Sequence, residues 1–82
     1  MKERQIFIIE GDAKMAAYIR QELATEHYDC TTDTLGLSAL NKLAGNRFDL
    51  IVLDIRLLDI SGLLLCKEIR KISAVPVLII SD

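Results

Sequence analysis

The chain has 82 residues, 51% of them hydrophobic, with two Tyr, two Phe, no Trp and a formal net charge of −2. That length holds one small domain, residues 1–82, which buries roughly 60–65% of the surface its unfolded form exposes, and the core must be aliphatic. The ten Lys and Arg residues are scattered, which argues against direct nucleic-acid contact through phosphate neutralisation.

No apolar stretch approaches the ~20 residues a membrane span needs, and the first one stops at Glu10. Cys30 and Cys66 lack CxxC spacing and have no His beside them. They read as free thiols in a reducing compartment, so a cytoplasmic location is the expectation, with no membrane contact.

In chain order, residues 5–9 form an apolar run that ends in Glu10-Gly11-Asp12, the pattern of a strand buried on both faces. Residues 13–25 carry Met15, Ile19 and Leu23 at four-residue spacing, a helix with Asp12 as N-cap. Residues 28–32 are β-branched and aromatic and read as a strand toward an edge. Residues 35–44 bring Leu37, Leu40, Leu43 and Ala44 onto one helical face, closed by Gly45-Asn46. Residues 49–54 hold LIVL between two carboxylates, the most strand-like segment of the chain. Residues 62–72 form a helix with Leu65, Ile69 and Ile72 in register and Ser61 as N-cap. Residues 75–80 make a last apolar strand, with Pro76 near its start.

This β-α-β-α-β-α-β alternation implies an α/β domain with a parallel sheet, because each parallel crossover needs a helix. With the third strand beside the first, the order is 2-1-3-4 and the crossovers are right-handed. Ligands in such sheets bind outside the carboxyl ends of the strands, where the chain reverses direction.

Four groups converge there: Glu10 and Asp12 after the first strand, Asp54 ending the third, and Ser81 after the fourth. Neighbouring strands lie only ~4.8 Å apart, so the carboxylates repel one another unless a cation neutralises them. A hard cation such as Mg2+ suits two carboxylates, a backbone carbonyl and water, and commonly accompanies a phosphate. A carboxylate in that setting can act as a nucleophile toward a phosphoryl group, and a hydroxyl such as Ser81 can hold a phosphate oxygen. Plainer readings stand beside these. Asp12 and Ser61 serve as helix caps, Glu10 as a strand-end charge, Asp59 as part of a solvated loop, and Arg56 as a rim residue. Asp54 is the hardest to explain structurally, since a carboxylate after LIVL is costly to leave unpaired.

The string DLIVLDIRLLDISGLLLCKEIR resembles the segment around the phosphorylated aspartate of response-regulator receiver domains in two-component signalling systems. IFIIEGD, LGLSAL and VPVLIISD resemble the first strand end, second helix start and fourth strand of that CheY-like family, so the likeness runs the length of the chain. It implies a flavodoxin-like doubly wound fold, Mg2+ dependence and a histidine-kinase partner. It makes Asp54 the phosphate acceptor, Glu10 a metal carboxylate, the Arg56 backbone carbonyl a metal ligand and Ser81 the phosphate-contacting hydroxyl. Transcription control also follows only from the family.

Gly11 stands where the family usually carries a second acidic residue, and Asp12 is next in line to serve as the metal carboxylate. Leu58 and Ser61 replace a usual proline and aspartate. The family pattern continues through a further helix, strand and helix after the fourth strand, so the chain is expected to be C-terminally incomplete. The 2-1-3-4 order leaves one face of strands three and four bare, exposing either Leu50 and Val52 or Ile51 and Leu53. A homodimer or a missing C-terminal portion is expected to cover that face. Two functions compete: a phospho-accepting receiver, and a degenerate pseudo-receiver that acts only as an interaction or dimerisation module.

Overall fold

The computed structural model describes residues 3–81. Four strands and three helices alternate: β1 (Gln5–Ile9), α1 (Ala13–Ala24), β2 (Asp29–Asp33), α2 (Gly36–Gly45), β3 (Leu50–Asp54), α3 (Gly62–Ile72) and β4 (Val77–Ile80). All pairings are parallel and the sheet order is β2-β1-β3-β4. The predicted flavodoxin-like, doubly wound architecture is the one observed.

β1 and β3 are the inner strands, so both of their faces must be covered, and their sequences are continuous apolar runs for that reason. Phe7 and Ile9 join Ile51 and Leu53 on one face, under Ala39 and Leu43 of α2 and Leu65 and Ile69 of α3. Ile6, Ile8 and Val52 join Cys30 on the other face, under Ala16 of α1. Each fully buried Ile or Leu stabilises the fold by about 1.5–3 kcal/mol relative to exposure. Phe7 also stacks on Phe48, with ring centroids 4.6 Å apart, and this seals the end of the sheet away from Asp54.

Two helices bury the expected stripe only in part. In α1 the buried residue is Ala16, with Ile19 and Leu23 packed beside it, while Met15 is exposed. In α2 the buried residues are Gly36, Ala39 and Leu43, with Leu40 partly covered, and Leu37 is 55% exposed. Both helices lie close enough to the sheet that a small residue fits at the line of contact, and the larger Met15 and Leu37 are turned away. In α3 Leu65 and Ile69 are buried as expected, but Ile72 is exposed.

Element ends follow local chemistry. Asp12 caps α1 by accepting from the Lys14 and Met15 amides at 2.9 and 3.3 Å. Ser61 caps α3 by accepting from Leu64 at 3.1 Å. α1 closes through His27, whose φ of 67° is left-handed without being glycine. The Tyr28 amide then bonds Leu23 O at 3.2 Å, and the chain turns into β2. Pro76 precedes β4 and lends only its carbonyl, which accepts from Ile51 at 2.9 Å.

The expected bare face is on the α1 side, but Val52 is not left in water: it is 9% exposed and packs with Ile6, Ile8 and Ala16. Ile51 and Leu53 are fully buried. The exposure falls on β4 instead, where Leu78 is 55% and Ile79 39% exposed. Among the described residues no helix is long and apolar enough to cross a membrane.

Candidate functional site

The carboxyl ends of β1, β3 and β4 open into a cleft of about 420 Å³ lined by Glu10, Asp12, Asp54, Arg56 and Ser81, with Met15 and Leu58 at its rim. The five residues singled out from the sequence are therefore brought to one place.

Glu10 follows β1 directly. Its amide donates to the Asp33 carbonyl at 3.0 Å, which carries the β1–β2 pairing one residue past the strand and fixes the backbone there. The side chain turns inward and is only 7% exposed. Its Oε2 accepts from the Asp12 amide at 3.0 Å, and its carboxyl is in hydrogen-bond contact with Asp54. Asp54 closes β3 and is half-buried, with Oδ1 accepting from the Arg56 amide at 3.0 Å. On its far side, the Ile55 amide donates to the Ile80 carbonyl at 3.1 Å, so β4 holds the root of this loop.

The two carboxyls move apart electrostatically. Burial raises Glu10, and the hydrogen bond and charge of Asp54 raise it further, against a smaller opposing effect from the Asp12 amide. Burial also pushes Asp54 upward, but the amide of Arg56, the hydrogen bond from Glu10 and the amide of Gly11 outweigh it and leave Asp54 low. The two carboxyls therefore shift in opposite directions, Glu10 up and Asp54 down.

Asp12 contributes differently. Its Oδ1 is engaged by the first amides of α1, and it touches Glu10 through its own N–H. Gly11 runs close to the loop after β3: a Cβ there would lie 3.0 Å from the Arg56 carbonyl oxygen. Ser81 is exposed just after β4. Among the described residues no group of three or more His, Cys, Asp or Glu side chains gathers as a metal cluster. The donors that do converge, two carboxylates and the Arg56 carbonyl beside them, fit Mg2+, which keeps several waters and uses one or two carboxylates.

Two acidic residues do more than their sequence positions suggested. Asp59 is exposed in the loop after β3, as expected, but it is also bonded across to α2. Its Oδ1 and Oδ2 accept from the Gly36 and Leu37 amides, each at 2.9 Å, and these bonds hold it below the usual carboxylate range. Nothing local signals this, because the partners lie 23 and 22 residues away. Asp33, at the end of β2, accepts from the Leu35 amide at 3.1 Å and from the Ser38 hydroxyl, and pairs with Lys42 at 3.2 Å. An aspartate just ahead of a helical run was the available signal for it.

The sequence profile described as the response regulator receiver domain matches residues 6–82. The response regulator ArlR of Staphylococcus aureus (strain Mu50) is 36% identical over 77 residues, covering 94% of this chain and 35% of its own length. The chain thus spans about a third of the length of the curated relatives it matches. Among solved structures, the CheY-like receiver domain protein of Methanospirillum hungatei superposes with a TM-score of 0.94 at 22% identity, over 98% of this chain and 65% of that one. That likeness speaks to the fold alone. The response regulator TrrA of Thermotoga maritima, solved in complex with Mg(2+)-BeF, superposes with a TM-score of 0.90 at 29% identity, over 95% of this chain and 69% of that one. With the acidic cleft at the strand ends and a profile match over nearly all of its length, this chain belongs to the receiver-domain family of two-component response regulators.

Proposed function

We propose that the domain accepts a phosphoryl group on Asp54 from the phosphohistidine of a histidine kinase, in a Mg2+-dependent reaction. The observation that carries this reading is the convergence of Asp54, the buried Glu10 and Arg56 on one open cleft at the carboxyl ends of β1, β3 and β4. Glu10, Asp54 and the Arg56 carbonyl are the groups that would hold the cation, and Asp12 orients Glu10 through its amide. The cation supplies screening of negative charge on the transferring group. TrrA, 29% identical, carries Mg(2+)-BeF, which supports extending this chemistry to the present chain.

In the transfer an Asp54 carboxylate oxygen forms the new bond to phosphorus as the phosphorus–nitrogen bond breaks, and the imidazole departs with that electron pair. The Arg56 amide holds the Asp54 carboxylate through Oδ1 for this attack. Ser81, on the adjacent strand end, receives a phosphate oxygen as a hydrogen-bond donor. The domain is thus a phosphoryl acceptor in signal transfer, and its charge state after transfer is the output. Control of transcription by a longer protein and self-association through the exposed β4 belong to the same reading.

Incubation with Mg2+ and a small-molecule phosphodonor, followed by intact mass measurement, tests it. One added phosphoryl group is expected, lost in Asp54→Asn and lost on chelation of the metal. If neither the wild-type chain nor a longer chain that continues past Asp82 gains mass under these conditions, the interaction-module reading replaces this one.

A further inference from the structure

We propose that Asp59 is a positioning residue for the Arg56 carbonyl, using the start of α2 as a fixed post; this rests on the assignment of that carbonyl to the metal site.

The segment from residue 55 to residue 62 joins β3 to α3 and carries the Arg56 carbonyl. At its root it is closed by the Gly62 amide, which donates to Ile55 O at 2.9 Å, and by the Arg56 amide on Asp54. Its crown is held by Asp59. Both carboxylate oxygens accept from first-turn amides of α2, a helix of ten residues whose own N-cap residue, Leu35, makes no side-chain bond. Two charge-assisted bonds therefore join the acceptor loop to a helix that sequence order places on the far side of β3.

A second, independent feature points the same way. A Cβ on Gly36 would meet Ile60 Cγ2 at 2.3 Å and Leu57 Cδ1 at 3.3 Å. The loop lies flat on α2 only because that position has no side chain, and Leu57 and Ile60 complete the core there. The post itself is anchored. Asp33 binds the Leu35 amide, the Ser38 hydroxyl and Lys42, and its carbonyl receives the Glu10 amide. The start of α2 is thus tied to the backbone of Glu10 on one side and to the loop of Arg56 on the other. Without Asp59 the crown rests on the packing of Leu57 and Ile60, and apolar packing is non-directional and does not fix where a carbonyl points. Asp59 touches neither the cation nor the phosphoryl group; it acts through the loop.

The test compares the wild-type chain with Asp59→Ala, Asp59→Asn and Asn46→Ala. Asn46 donates to the Lys42 carbonyl at 2.9 Å at the opposite end of α2, so its loss weakens the same helix without touching the loop. Three quantities are read: the thermal midpoint, Mg2+ affinity by calorimetric titration, and hydrogen exchange at the Arg56 and Gly62 amides in metal-free buffer. Asp59→Ala is expected to weaken Mg2+ binding roughly tenfold, the size usual for partners that orient a metal ligand, and to speed exchange at both amides. Asp59→Asn keeps the side-chain shape and one acceptor, so it falls between. Should Asp59→Ala fail to fold, Asp59→Asn carries the comparison. Asn46→Ala is expected to lower the midpoint while leaving Mg2+ affinity and the two exchange rates as in the wild type. If the Asp59 variants only lower the midpoint and match Asn46→Ala in the other two readouts, Asp59 is a helix cap and the proposal is overturned. A wild-type chain that takes up no Mg2+ overturns the proposed metal site instead, and the metal-free exchange rates then decide the role of Asp59.

Discussion

Gly62 lies so close to Ile55 that a methyl group on it would meet Ile55 Cα at 2.5 Å and the Asp54 carbonyl oxygen at 2.8 Å. The helix that follows the acceptor loop begins against the backbone of the acceptor itself. Backbone cannot rotate out of the way as a side chain can, so Gly62→Ala must shift β3 at its functional end. Overpacking of this kind costs about 1–3 kcal/mol, more than the ~1 kcal/mol that alanine gains over glycine in a helix. Urea unfolding is expected to show a net loss of stability, and intact mass a reduced phosphoryl uptake on Asp54.

The effect of Gly11→Asp on stability is expected to change sign when Mg2+ is added. The new Cβ sits 3.0 Å from the Arg56 carbonyl oxygen, a contact relieved by a shift of a few tenths of an ångström. It brings a third carboxylate beside Glu10 and Asp54. Without a cation, like-charge repulsion lowers the thermal midpoint below wild type. With Mg2+ the added ligand charge tightens binding by roughly tenfold and lifts the midpoint above wild type. Melting curves with and without Mg2+ check both halves, and a midpoint indifferent to the metal would count against the assigned site.

Asp33 gives the fold a defined acid sensitivity. Burial works to raise its pKa, but the Ser38 hydroxyl, the Leu35 amide and Lys42 together hold it below the ordinary aspartate value. A carboxyl depressed in the folded state stabilises above its unfolded pKa, about 3.9, and that contribution is lost as pH falls through the folded value. Asp33→Asn is expected to be less stable by roughly 1 kcal/mol at neutral pH, with the gap closing in acid below about pH 3.9. Glu10 has the opposite sign, raised by burial and by Asp54, but it is common to both proteins and cancels in the difference. Denaturant unfolding across pH tests this, and a gap that stays constant into acid would contradict it.

Leu78 is the more exposed of two exposed apolar residues, with Ile79, on an edge strand, VLII, that carries no charge. Such edges pair with other chains, and a lysine placed on them discourages pairing. Sedimentation equilibrium is expected to show self-association of the wild-type chain that rises with concentration, and a shift to monomer in Leu78→Lys. Stability should change by no more than about 0.5 kcal/mol, as at other exposed positions. A wild-type chain that stays monomeric at every concentration would remove β4 as a contact surface.

Some features of this protein were written in the sequence because their physics is local. LIVL before Asp54 marked an inner strand of a parallel sheet, and with that strand taken beside the first, the alternation with helices gave the observed order β2-β1-β3-β4. Asp12 and Ser61 were legible as caps because the amides they accept from are two or three residues away. The convergence of Glu10, Asp12, Asp54, Arg56 and Ser81 on one cleft followed from strand order alone.

Other features needed the folded chain. Periodicity identified α1 and α2 as helices and brought Ile19, Leu23, Leu40 and Leu43 inward, but it did not choose the residue of closest approach to the sheet. That choice depended on how closely each helix approaches it, and Ala16 and Ala39 won over Met15 and Leu37. The burial of Glu10 and its contact with Asp54 depend on β1 and β3 lying side by side. The capping of Gly36 and Leu37 by Asp59 spans more than twenty residues, beyond the reach of any local pattern. Covalent neighbours fix what a residue meets within about one helical turn; beyond that distance only packing decides. So the sequence placed Asp54 at the end of its strand, and the tertiary structure decided what holds its loop in place.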